Sequence, residues 1–181
     1  AYEWVSGNYV QMFSHSEEGL NPSYMGHTRN ATQFEFLNAS GNDLVIRDAQ
    51  AGTILFRAST QIAGWSGSNL FLNPVDLDHD GLLELIVRDN AATRVIRYAA
   101  GAYTQLWSST AWRDPYPATR LDNNPLDGVF AIASSDGHYG LLDPFTGAVR
   151  QEFPTFLSSE SYTYPVDFDR DGRNELLMIR N

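Results

Sequence analysis

Along most of the chain apolar and polar positions alternate in short runs, and no window repeats at the helical period, so the elements predicted are strands. One version of the pattern occurs four times. Residues 7–13 (GNYVQMF), 52–56 (GTILF), 101–107 (GAYTQLW) and 147–153 (GAVRQEF) each set a turn glycine before a strand that ends on an aromatic. These glycines lie 45, 49 and 46 residues apart, and from Gly147 through the C-terminus round to Gly7 is a further 41. A second β-rich run precedes each glycine (2–5, 43–47, 94–98, 139–143), and a third precedes that (33–37, 84–87, 129–133, 175–179). Phe13, Phe56, Trp107 and Phe153 share one place in the repeat and are predicted core.

A unit of about 45 residues holding four short strands is the pattern of a propeller blade. The prediction is an all-β fold, a single small β-propeller domain of four blades spanning residues 1–181. The first strand of a blade is read at 71–75 and 162–166, which places three blades at about 24–60, 71–110 and 119–156. The last blade combines 162–181 with 1–15, so strands from both termini close a complete ring and remove an exposed sheet edge. A closed monomer is expected. Exchange of the same strands with a neighbouring copy would give a swapped dimer or a larger ring.

The strongest chemical motif joins the first two strands of alternate blades. PVDLDHDGLLEL begins at Pro74 and PVDFDRDGRNEL at Pro165, 91 residues apart. Asp76, Asp78, Asp80 and Glu84 in one copy match Asp167, Asp169, Asp171 and Glu175 in the other. Carboxylates at such density repel one another unless a cation sits among them. Oxygen donors without a Cys or His ligand pattern select calcium over softer metals, and the ligand number suits calcium better than magnesium. Two calcium sites are therefore predicted, with the carbonyls of Leu82 and Arg173 as further ligands. Gly81 and Gly172 stand where the loop must turn sharply. An EF-hand would place a bidentate Glu where Val87 and Met178 stand, in apolar runs that read as strand, so these loops feed strands. In the other two blades the loop is degenerate: residues 25–32 carry no carboxylate, and 121–128 keep only Asp122, Asn124 and Asp127.

The D-x-D-x-D-G-x-x-E-L pattern followed by a hydrophobic strand resembles the FG-GAP/VCBS repeats of integrin-α-like β-propellers. That resemblance covers about twelve residues in each copy. It implies calcium bound between the first two strands of a blade.

Composition narrows the function classes. The chain has no Cys and no Lys, so thiol chemistry, disulfides, Schiff bases and a lysine base are excluded. A formal charge of −10 argues against a nucleic-acid partner, because phosphate binding needs a basic face. The chain has no apolar run long enough for a transmembrane helix, and it contains no signal peptide, so if the protein is exported this chain is expected to be its mature form. The four histidines share no ligand spacing, and no nucleophile elbow is present. Asn30 and Asn38 open glycosylation sequons.

Links between blades lie on the face opposite the calcium loops, since each strand reverses direction. They are read as long and aromatic, with Trp65, Trp112, Arg113, Tyr116 and Tyr162 as candidate ligand contacts. The expected function is a non-enzymatic, extracellular, cell-surface or periplasmic recognition module for a glycan or protein, with calcium structural. A polysaccharide-lyase-like enzyme and an architectural adhesin module without a small ligand are the alternatives.

Overall fold

The computed structural model describes residues 2–5, 8–11, 24–40, 43–118, 128–133, 138–153 and 161–180. In chain order the elements are β1 (Tyr2–Val5), β2 (Asn8–Gln11), β3 (Tyr24–Gly26), β4 (Glu35–Ser40), β5 (Asp43–Asp48), β6 (Ile54–Arg57) and a single helical turn α1 (Ala58–Gln61). There follow β7 (Phe71–Val75), β8 (Glu84–Arg88), β9 (Thr93–Ala99), β10 (Ala102–Ser109), β11 (Trp112–Ala118), β12 (Gly128–Ala133), β13 (Tyr139–Leu142), β14 (Val149–Phe153), β15 (Ser161–Val166) and β16 (Glu175–Arg180). All pairing is antiparallel. Three four-stranded meanders, β3 to β6, β7 to β10 and β11 to β14, are flanked by the hairpins β1-β2 and β15-β16. The protein is all-β, and among the described residues no closed barrel or propeller is formed.

The turn glycines do what their positions require. Gly52, Gly101 and Gly147 take φ of 71°, 88° and 70° between the third and fourth strands of their sheets, a region closed to most side chains. In two of these turns an aspartate holds the chain: Asp48 Oδ1 accepts the N–H of Gln50 and Ala51, and Asp143 Oδ1 accepts those of Phe145 and Thr146.

Successive meanders pack through two apolar clusters. Leu37, Leu44, Ile46 and Phe56 of the first meander meet Leu72, Leu85, Val87 and Ile96 of the second, and Ile86, Val95 and Trp107 of the second meet Val129, Ala131 and Leu142 of the third. Phe56 and Trp107 are core, as their place in the repeat requires, Phe153 is half-buried, and Phe13 lies outside the described residues. The Trp107 indole N–H donates to the Pro144 carbonyl at 2.8 Å, and its ring lies 2.8 Å from where a Cβ on Gly147 would stand. Gly147→Ala therefore combines a left-handed backbone with a clash against an indole. It should cost about 2 kcal/mol in denaturant unfolding, while Gly101→Ala, with open space around it, should cost about half that.

Two sequence expectations change here. The third meander begins at Trp112 rather than at residue 119, because Trp112, Arg113 and Tyr116 lie in β11, not in an interblade link. Tyr162 lies in β15, paired with Ile179, within the strand read at 162–166 and not in the link before it. Asn38 is buried in β4, which removes the second sequon as an accessible acceptor in the folded chain.

Candidate metal centre

Each acidic loop leaves the first strand of a hairpin and enters the second, so its two ends are fixed by the ladder: Val75 pairs with Glu84, and Val166 with Glu175. Between these anchors the two loops share one hydrogen-bond frame. Asp76 Oδ2 accepts the Gly81 N–H at 2.9 Å, and Asp167 Oδ2 accepts the Gly172 N–H at 3.0 Å. Glu84 Oε2 accepts the Leu77 N–H at 2.9 Å, and Glu175 Oε2 accepts that of Phe168 at 2.7 Å. The left-handed residues coincide as well, His79 (φ 61°) with Arg170 (63°) and Gly81 (87°) with Gly172 (90°).

This frame brings one oxygen each of Asp76, Asp78 and Glu84 within 4.8 Å of one another, and does the same for Asp167, Asp169 and Glu175. Asp80 and Asp171 stand differently: each accepts, at 2.8 Å, the N–H of the residue two further on, Leu82 and Arg173. The third carboxylate of each predicted set thus braces the turn, and the N–H groups of Leu82 and Arg173 are what it holds.

The donor sets suit a hard cation. Asp167 Oδ1 is buried without a hydrogen-bond partner. Glu84 is fully buried, and burial raises its pKa to about 7 against the Leu77 N–H and Arg97, with the charges of Asp78 and Asp80 adding to the rise. A divalent ion would remove both costs.

In the second meander a cation is already present. Arg97, on β9, reaches Asp78 and Asp80 at 3.1 Å and Glu84 at 3.5 Å. Sequence reasoning passed over it because it lies 13 residues beyond Glu84, on another strand. It also passed over the first meander's version of the site. Thr28 donates its N–H to Glu35 Oε2 at 2.8 Å, the same seven-residue step as Leu77 to Glu84, so Glu35 is the equivalent glutamate and the loop near Gly26 is not without one. There the signs are exchanged: Arg29 occupies the place of Asp78, and Asp48, opposite Glu35 in the ladder, occupies that of Arg97. Arg29 binds Glu35 at 2.8 Å and Asp48 at 3.0 Å. Burial opposes the Arg29 charge, but these partners outweigh it and raise its pKa above the ordinary value. A guanidinium fills this site. In the third meander Gly128 occupies the glutamate's place, where a Cβ would run into Leu141 Cδ1, and Asp122, Asn124 and Asp127 lie outside the described residues.

The candidate ligand contacts divide. Trp65 packs on the first core cluster with the Arg94 guanidinium 5.9 Å above its ring. Trp112 is half-buried, one edge against Gly140 and in T-shaped contact with His138 at 5.5 Å, while Arg113 beside it is exposed. The side chains of Tyr116 and Tyr162 lie outside the described residues.

No protein-family model, no curated protein and no solved structure matches the chain. Its function has to be read from the site. Among the described residues no helix is long and apolar enough to cross a membrane.

Proposed function

We propose that the chain is a calcium-stabilised recognition module of the FG-GAP/VCBS type, non-enzymatic and extracellular, built as a four-bladed propeller. The observation that carries the reading is the repetition of one loop frame at two places 91 residues apart, each time converging three carboxylates on a point. One such turn would be an acidic surface feature; two with the same bonds and the same left-handed residues favour a common ligand. Calcium supplies charge compensation and crosslinks the start of each loop to its terminal glutamate, and so clamps the first two strands of a sheet. The carbonyls of Leu82 and Arg173 complete the ligand sets in this reading. Three meanders of one order, with hairpins supplying first-second and third-fourth strands, support the four-blade arrangement, in which β16 joins β1.

Calorimetric titration of the metal-stripped chain should find two calcium ions per chain, and one in either Asp78→Asn or Asp169→Asn. A stoichiometry of zero, or no change in the variants, overturns the assignment. Two bound ions would bring the formal charge from −10 to −6.

A further inference from the structure

Strand reversal puts the β8-β9 hairpin and the link from β10 to β11 at the ends of the sheets opposite the metal loop. There, between the second and third meanders, lies a cavity of about 300 Å³. Its lining includes Asn69, Asn90, Thr93, Thr110, Trp112 and Arg113, together with Arg88 and Asp89.

Its polar groups are incompletely used by the protein. Thr93 is 1% exposed, and its hydroxyl has no hydrogen-bond partner, which is costly for a buried group. Asn69 donates its amide to the Asn90 amide oxygen at 2.9 Å, which leaves the Asn69 oxygen and the Asn90 amide N–H groups as further hydrogen-bonding groups of two lining residues. The Asp89 carboxylate is fully engaged by the N–H groups of Ser66, Ala91 and Ala92. Charges follow the same division. Arg88 pairs with Asp114, and Arg94 lies 3.6 Å from Asp89, whereas Arg113 has no ionic partner among the described residues. Three guanidinium groups against two carboxylates leave one local positive charge on a chain whose net charge is −10.

We infer that this cavity binds a single uronic acid unit, the carboxylate on Arg113, the ring against the Trp112 wall, and the ring hydroxyls on Thr93, Asn69 and Asn90. The volume lies at the small end of the range for ligand sites, about 300–1,000 Å³, and so fits one ring rather than an extended chain. A simple carboxylate would satisfy Arg113 but leave the Thr93 hydroxyl unpaired. A neutral sugar would forgo the charge-assisted contact with Arg113. The inference rests on the recognition half of the proposed function and names its ligand class.

The test is titration of the full chain in calcium with glucuronic acid, methyl glucoside and acetate, followed by tryptophan fluorescence and calorimetry. Glucuronic acid should bind at least about tenfold more tightly than either of the others, the ratio expected for one charge-assisted contact. Arg113→Gln should abolish the preference over methyl glucoside without moving the melting temperature, and Thr93→Val should weaken glucuronic acid while retaining that preference. Acetate binding as well as glucuronic acid, or no saturable signal with any of the three, overturns the inference. Because the cavity is remote from the metal loops, its failure can be told from failure of the calcium reading. Calcium binding without uronate binding defeats this inference alone, while uronate binding by a chain that takes up no calcium defeats only the metal assignment.

Discussion

Excess EDTA should lower the melting temperature of the calcium-saturated chain by roughly 10 °C or more, and added calcium should restore it. A ligand that binds only the folded form stabilises by RT ln(1 + [L]/Kd), about 3 to 4 kcal/mol per site at a hundredfold to thousandfold excess. For a domain of this size each kcal/mol moves the midpoint by about 2–4 °C. Both loops need the fold, because Asp76 and Glu84, or Asp167 and Glu175, come together only when the hairpin ladder holds the loop ends at Val75↔Glu84 and Val166↔Glu175. The metal-free state also keeps costs that calcium would remove: a fully buried Glu84 and an unbonded Asp167 Oδ1. Asp78→Asn and Asp169→Asn should each lose part of the calcium response, and the double variant nearly all of it. Scanning calorimetry with calcium, with EDTA and with magnesium alone is the measurement. A melt indifferent to EDTA would remove calcium from the account, and full recovery by magnesium would remove its identity.

Strand content and the two acidic loops that could hold a metal ion were legible in the sequence because both follow local rules. Alternation every second residue and a glycine at each third-to-fourth strand turn fix most ladders, and Gly52, Gly101 and Gly147 occupy the left-handed positions that only such residues take readily. β11 was missed for an equally physical reason. It carries Asp114 at φ 50° between Arg113 and Pro115, has a register shift between Arg113 and Tyr116, and includes two prolines, all of which read as loop. These features are tolerated because β11 is the edge strand of its sheet, where a missing N–H disrupts no interior ladder. Arg97, Arg29 and Asp48 were not legible, because their relation to the loop glutamates exists only across the second-to-third strand pairing. A spacing of 13 residues has no meaning until the register places Asp48 opposite Glu35.

That pairing yields the second large expectation: Arg29→Met should destabilise the chain by about 3–5 kcal/mol, and calcium should not restore the loss. Removing one partner of a buried ion pair leaves the other charge uncompensated, a larger penalty than the pair's net contribution. Glu35 is fully buried and would keep only the Thr28 N–H and hydroxyl, at 2.8 and 3.3 Å, against its charge. Calcium cannot substitute for the guanidinium, because His27 and position 29 stand where the acidic loop of the second meander has the converging Asp76 and Asp78, and the remaining carboxylates Glu35 and Asp48 make too few donors. Arg29→Met/Glu35→Gln should recover most of the stability, since it removes the buried charge together with its counterion. Arg29→Lys should recover less, because a point ammonium cannot span Glu35 and Asp48 as the planar guanidinium does. In the second meander the same substitution should behave in the opposite way. Arg97→Met removes a cation from Asp78, Asp80 and Glu84, so it should cost stability in EDTA and little in calcium, where the metal takes over its role. Urea unfolding of both variants, with and without calcium, measures the contrast. If calcium rescues Arg29→Met as fully as Arg97→Met, the first meander binds metal after all, and the guanidinium is not its built-in replacement.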